Sequence, residues 1–295
     1  MRLVFLGSPP EAQGALRALH DAGHDIALVV TQPDRKRGRG GDLVPSPVKK
    51  TATELGLRIV TPERCKESLD DIAGSGAELG VVVAFGQLIP PSVLDALPSG
   101  YVNVHFSLLP RWRGAAPLER AILAGDTETG VCLMALEEGL DTGPVYECVP
   151  IDIASEETAE ELRGRLVEVG TELLVRRLRD GLGEPRPQEG EPTYAAKLEP
   201  EEHHLDWSRP APELHRVVRL GHAWTTFRGR RLRVRRARLA PDASALEAGE
   251  LAGVLVGTGN GALELTEVQP EGKAPQPASA WRHGARPQPG ERLGA

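Results

Sequence analysis

The stretch Glu78-Leu-Gly-Val-Val-Val-Ala-Phe85 is apolar at nearly every position and rich in β-branched residues. A strand with one wet face would alternate; a continuous short run marks a strand buried on both faces, as in a parallel sheet covered by helices. The flanking segments agree. Arg2–Leu6 reads as a strand closed at Gly7, Glu11–Ala22 as a helix ended by Gly23, and Ile26–Val30, Tyr101–His105 and Val131–Leu136 as further strands. A long helix is expected to open at Ser155, with Glu156, Glu157, Glu160 and Glu161 in its first turns. Leu162, Leu166, Val169 and Leu173 follow at helical spacing, and Arg176, Arg177 and Arg179 complement the dipole before Gly181. Strands alternating with helices predict an α/β domain over residues 1–188, a doubly wound, mostly parallel, Rossmann-like sheet.

Downstream the pattern changes. Gly181–Pro192 (GLGEPRPQEGEP) is dense in Gly, Pro and charge and reads as exposed, and residues 189–206 are assigned as a linker. After a short helix near Ala211–Leu220 come short strands and turns: Arg231–Leu239, Gly249–Val256 and Gly261–Val268. Residues 207–295 are therefore expected to form a smaller, OB-like β-barrel domain. In Arg231–Leu239, Leu232 and Val234 alternate with Arg231, Arg233 and Arg235, but the phase then slips to Ala237 and Leu239, which predicts a bulge.

Composition excludes several classes. No apolar run approaches the roughly 18 residues of a membrane helix, and the N-terminus lacks a signal-peptide core. Three cysteines without CxxC spacing argue against a disulfide scaffold or a structural zinc site, and suit a reducing cytoplasm. His203 and His204, beside Glu201 and Glu202, read as solvated linker rather than as a metal cluster, so no metal is expected. The net charge of −7 speaks against a nucleic-acid partner until it is divided by position. Residues 1–200 carry 21 basic and 31 acidic residues, whereas residues 207–238 hold ten Arg against Glu213 alone. Seven of those Arg fall within Arg228–Arg238.

The turn after the first strand, Gly7-Ser-Pro-Pro-Glu-Ala-Gln-Gly14, lacks both GxGxxG and Gly-Lys-Ser/Thr, and two prolines remove amides that a phosphate cradle uses. The informative stretch is Tyr101-Val-Asn-Val-His-Phe-Ser-Leu-Leu-Pro-Arg-Trp-Arg-Gly-Ala-Ala-Pro117. Asn103 and His105 stand two apart on one strand face, at the carboxyl end where open α/β sheets build their clefts. An amide donor beside an imidazole suits a developing oxyanion. Gly139-Leu-Asp-Thr-Gly-Pro144 places Asp141 in a turn, and a carboxylate near His105 would orient its ring. Arg35, Lys36, Arg37 and Arg39, interspersed with glycines, form a cationic loop after the second strand, beside that cleft.

NVHFSLLPRWRGAAP with GLDTGPV downstream resembles the methionyl-tRNA formyltransferase family. The likeness extends to Thr31–Lys49, Val81–Pro90, Glu128–Val131 and Val268–Pro275, and so spans nearly the whole chain. It implies transfer of the formyl group of 10-formyltetrahydrofolate to the amino group of methionine on initiator tRNA, by a cytoplasmic, metal-free, monomeric enzyme. Asn103 and His105 match the pair that holds the formyl oxygen, and Asp141 the carboxylate that tunes the imidazole. Ser107, Leu108, Leu109 and Pro110 match a loop of the folate site, and Val83, Ala84, Phe85 and Gly86 another wall of it. Arg35, Lys36, Arg37 and Arg39 match the tRNA-facing loop, and Arg231, Arg233 and Arg235 are assigned to the acceptor arm. Phe106 stands where the family has a small residue, Phe85 replaces a Tyr, and Leu220–Thr225 is shorter than usual. Two rivals are a sugar-nucleotide N-formyltransferase with the same three residues and an RNA-binding module with an inactive α/β half. The basic segments weigh against the first, and the intact Asn103, His105 and Asp141 against the second.

Overall fold

The computed structural model describes residues 1–37, 41–240 and 246–294. In chain order the first elements are β1 (Arg2–Gly7), α1 (Pro10–Asp21), β2 (Asp25–Val30), β3 (Arg35–Arg37), β4 (Asp42–Val44) and α2 (Pro47–Glu54). They are followed by β5 (Ile59–Val60), α3 (Leu69–Ala73), β6 (Leu79–Val83), α4 (Pro91–Leu94), β7 (Tyr101–His105), β8 (Arg113–Gly114) and α5 (Pro117–Ala124). Next come β9 (Glu128–Ala135), β10 (Val145–Asp152), α6 (Ala159–Asp180) and β11 (Tyr194–Ala195). The chain divides into two compact units, the first comprising residues 1–117, 128–152 and 163–195.

The first unit is built on a seven-stranded sheet of order β10-β9-β7-β6-β1-β2-β5. All five residues of β6 are buried, as its apolar run predicts, and β6 pairs in parallel with β1 and β7. The two strands at one edge differ: β9 runs antiparallel to β7, and β10 antiparallel to β9. From β1 the chain first builds outward through β2 and β5, then returns to β6 and β7 on the other side. That reversal opens a crevice at the carboxyl ends of β1 and β6, the place where such sheets bind ligands. Val4, Leu6, Leu28, Val30, Val82 and Tyr101 belong to one core cluster. Their strand neighbours Leu3, Phe5, Val29 and Val81 are fully buried as well, so both sheet faces are covered.

Two expectations need correction here. The basic loop is in part a hairpin: β3 and β4 pair antiparallel from Arg35↔Val44 to Arg37↔Asp42, and Lys49 Nζ contacts Asp34 at 2.7 Å at its base. The cysteine count held no sign of pairing, yet Cys132 and Cys148, opposite each other on β9 and β10, form a disulfide, while Cys65 is free and buried. Their register partnership, invisible in linear spacing, brings the two sulfurs together.

The second unit comprises residues 118–127, 153–162 and 196–295. It holds α7 (Ala211–Arg219), β12 (Trp224–Phe227), β13 (Arg230–Leu239), β14 (Leu251–Ala252), β15 (Leu255–Gly257), β16 (Ala262–Pro270), β17 (Gln276–Pro277) and α8 (Ala278–Ala285). Its antiparallel sheet runs β12-β13-β16-β15-β14, with β17 beside β16. Trp207, Leu214, Phe227, Leu232, Val234 and Trp281 lie in one core, and Trp207 Nε1 donates to Thr225 Oγ1 at 3.0 Å. The slip in the Arg-rich strand is real: pairing of β13 with β16 shifts register between Val234 and Arg236 and again before Ala237.

Candidate active site

Every residue of the proposed centre sits where a strand of the first unit ends. Asn103 and His105 project from the carboxyl end of β7, opposite Met134 and Cys132 of β9. Asp141 lies in the turn between β9 and β10. The three line one cavity of about 720 Å³. His105 is 5 % exposed, which removes the ring from bulk water. Its Nε2 lies 3.0 Å from the carbonyl oxygen of Trp112. A carbonyl can only accept, so Nε2 carries the hydrogen, and in the neutral ring Nδ1 keeps its lone pair. Nδ1 faces Asp141 Oδ2 at 3.7 Å. That same Oδ2 accepts the Gly114 backbone N–H at 2.8 Å, so the carboxylate has an anchor besides the ring. The Asn103 side-chain amide has no hydrogen-bond partner among the described residues, which leaves it available to a ligand oxygen.

The backbone around the cavity is unusual. Ala84, Trp112 and Asp141 have φ of 46°, 61° and 51°, a left-handed conformation that non-glycine residues avoid. Each costs on the order of 1 kcal/mol or more, and such residues concentrate where a side chain or carbonyl must be aimed. Here Trp112 aims the acceptor for His105, Asp141 its own carboxylate, and Ala84 turns the chain out of β6.

Of the expected folate-site residues, Ala84, Phe85 and Gly86 line the cavity. Val83 is buried inside β6 and the lining includes Val82 instead. Ser107, Leu108, Leu109 and Pro110 are not among the residues lining this cavity; Ser107 Oγ donates to the Arg111 carbonyl at 2.6 Å, and the Leu109 N–H points to Cys132 Sγ at 3.4 Å. Residues that sequence reasoning missed supply much of the rim. Gln87, Leu88 and Ile89 follow Gly86, and Leu136–Leu140 lead into the Asp141 turn. Leu88 and Leu140 are 84 % and 62 % exposed, so the mouth of the cavity is edged with apolar side chains that no core covers. Phe106 also lines it, with its ring against α6, where a Cβ on Gly170 would come 3.6 Å from Phe106 Cε1. The missing side chain at Gly170 makes room for Val104 Cγ1 and Val131 Cγ1, which a Cβ there would meet at 2.9 and 3.1 Å.

A smaller cavity of about 280 Å³ adjoins the first, sharing Ala84, Phe85 and Gly86 and adding Ser8, Gln32, Arg35 and Ser46. Arg35, at the start of the basic hairpin, thus lies beside the centre, and Lys36 is exposed one residue on. Arg37 closes β3, and Arg39 lies outside the described residues. In the second unit, Arg231 and Arg233 are exposed and Arg235 half-buried on one face of β13, opposite the buried Leu232 and Val234. The Arg231 guanidinium stacks 4.3 Å from the centre of the Trp224 ring, and Arg235 Nη1 donates to the Gly221 carbonyl at 3.3 Å. Among the described residues no three His, Cys, Asp or Glu side chains are grouped to hold a metal ion, and no helix is long and apolar enough to cross a membrane.

Comparison with known proteins matches this layout. Residues 1–178 fit the formyl transferase family model, and residues 197–286 the formyl transferase C-terminal domain. A methionyl-tRNA formyltransferase of Cereibacter sphaeroides is 45 % identical over 294 residues, covering 96 % of each chain. Among solved structures, the methionyl-tRNA formyltransferase of Clostridium thermocellum superposes with a TM-score of 0.61 at 18 % identity, covering 81 % of this chain and 94 % of its own. An N-formyltransferase of Helicobacter canadensis, crystallised with folinic acid and dTDP-3-aminofucose, reaches 0.68 at 16 % identity, over 91 % and 98 %. At such identities the structures establish the fold, while the sequence relationship is closer by far. The chain belongs to the methionyl-tRNA formyltransferase family.

Proposed function

We propose that this chain transfers the formyl group of 10-formyltetrahydrofolate to the free amino group of methionine on initiator methionyl-tRNA, as a cytoplasmic monomer. One observation carries the chemistry: an uncommitted amide, an imidazole of defined tautomer and an anchored carboxylate converge on one cavity. The pterin end of the folate is assigned to the space between Ala84–Ile89 and Leu136–Leu140. Both segments are irregular; the Leu136 N–H still donates to the Tyr101 carbonyl at 2.9 Å, and the Phe85 carbonyl accepts from Gln32 Nε2 at 3.0 Å. Ser107, Leu108, Leu109 and Pro110 are assigned to the folate as a further loop of its site, the loop that leads on to Trp112.

The amine attacks the formyl carbon in its neutral form. A C–N bond forms, and the carbonyl electron pair moves onto oxygen. Asn103 Nδ2 and His105 are assigned to that oxyanion, the imidazole through Nδ1–H once it is protonated. Collapse then breaks the bond to N10 of the folate, and the proton that the ammonium gives up passes by way of Asp141 and solvent to N10, so no net proton is gained or lost. No covalent enzyme intermediate is required. Positioning and oxyanion stabilisation supply the rate.

The direct test incubates the protein with 10-formyltetrahydrofolate and charged initiator tRNA and follows formyl label into methionine. Formylation of a nucleotide-linked amino sugar, with none of methionine, would overturn the assignment. The basic strand makes a separate prediction. Arg231→Ala, Arg233→Ala and Arg235→Ala should each raise KM for the tRNA several-fold, with kcat and the folate KM unchanged. Each should reduce the salt slope of tRNA binding by about one if it contacts a phosphate. Unaltered salt slopes for all three would remove the strand from the tRNA surface.

A further inference from the structure

The segment read as an exposed linker carries a side chain joined to the catalytic turns. Gln188 does not line the cavity. Its Nε2 donates one hydrogen to the Asp141 carbonyl and the other to the Gly143 carbonyl, both at 2.8 Å. Its Oε1 accepts from Arg113 Nε at 3.1 Å and Nη2 at 2.7 Å. Every strong donor and acceptor position of this one amide is therefore spent between two loops, the turn that bears Asp141 and the segment that follows His105. Five residues further on, Thr193 ties the second of these loops. Thr193 Oγ1 accepts the Trp112 N–H at 2.9 Å, and the Thr193 carbonyl accepts the Arg113 N–H at 2.9 Å. The Trp112–Arg113 peptide, whose carbonyl receives His105 Nε2–H, thus has its N–H end held by this strap. Parallel pairing of β11 with β8 continues the attachment through Tyr194↔Arg113 and Ala195↔Gly114, and Gly114 is the residue whose N–H holds the Asp141 carboxylate.

We propose that Gln188 is a positioning residue that fixes the Asp141 carboxylate relative to the His105 imidazole, with Thr193 orienting the peptide that accepts from the ring. The inference rests on the assignment of His105 and Asp141 to formyl transfer. Its physical basis is the strained turn: Asp141 has φ of 51°, and two donors on two carbonyls of that turn oppose its relaxation. Loss of those donors frees the turn to move, and a displacement near 1 Å at a reacting centre costs about 10²-fold in rate.

The experiment compares wild type with Gln188→Glu, Gln188→Ala and Glu189→Ala. Gln188→Glu keeps an acceptor for Arg113 but sets a carboxylate against two carbonyl oxygens; Glu189 is the exposed neighbour and serves as control. Both Gln188 variants are expected to lose about 10- to 100-fold in kcat, with both KM values within about twofold, the signature of a lost transition-state contribution rather than lost binding. The second readout is the imidazole titration of His105 by NMR of histidine-labelled protein without substrate. A shifted midpoint in both Gln188 variants, and none in Glu189→Ala, supports the proposal. Unchanged kcat overturns it, and so does a lower Tm with the His105 titration untouched, which would mark Gln188 as merely structural. Because the titration needs no substrate, it decides the matter even if wild type fails to formylate methionyl-tRNA, a failure that would instead refute the assigned reaction.

Discussion

Asn103→Ala is expected to lower kcat by about 10²- to 10³-fold, the usual loss for one oxyanion donor, while tRNA affinity stays within about twofold of wild type. Asn103 and His105 share one face of β7, so one strand presents both donors and neither depends on a flexible loop. The Asn103 amide has no other hydrogen bond among the described residues, so the substitution breaks none there, and at this half-buried position it opens no large core cavity. Thermal stability should fall little. Steady-state formylation at saturating folate and tRNA measures kcat, single-turnover formylation isolates the chemical step, and filter binding measures the tRNA. Equal loss of rate and of tRNA affinity would remove the oxyanion role. His105→Ala should cost a similar factor, and the double variant much less than the product of the two, because the proposed mechanism puts both groups on one oxygen.

The parts of the molecule that could be read in advance were those governed by local periodicity. Glu78–Phe85 announced a strand buried on both faces because a short apolar run without alternation leaves no side free for water, and β6 is that strand. The bulge near Arg235 was legible because a phase slip in a two-residue period forces one. The pairing of β3 with β4 was not, because Arg and Lys hide a hairpin that has little apolar alternation. Asn103 and His105 could be seen because they lie two apart on one strand, and Asp141 because the surrounding motif resembles a known family. Leu88 and Leu140 could not, because an apolar residue in a loop has no period to betray which way it faces. Gln188 was hidden most thoroughly. Its Gly- and Pro-rich surroundings read as exposed linker, and much of that stretch is exposed. What matters at Gln188 is a set of contacts 45 and 47 residues away in sequence, which no local pattern encodes.

Gly143→Ala is expected to be the most damaging small substitution in the turn, with kcat down about 10²-fold and stability down by about 1–3 kcal/mol. Gly143 is buried, and a Cβ there would come 1.9 Å from the Ala135 carbonyl oxygen and 3.4 Å from Met134 Cε. Ala135 closes β9, and its N–H donates to the Pro144 carbonyl at 2.9 Å, so the obstructing backbone is itself tied to the turn. No side-chain rotation relieves a clash between a methyl group and a carbonyl oxygen. The turn must lift away from β9, and Asp141 Oδ2 moves with it relative to Nδ1 of His105 and the Gly114 N–H. A methyl group thus perturbs the carboxylate without touching it. Gly164→Ala is the matched control: it lies in α6, where an added Cβ would meet no atom within 4 Å, and should stabilise by about 0.4–1 kcal/mol with kcat unchanged. Thermal unfolding and steady-state kinetics on the two variants separate crowding at one position from glycine replacement in general. Wild-type kcat in Gly143→Ala would show that the separation of Asp141 from His105 tolerates displacement, and the carboxylate would then have no close positional role in the reaction.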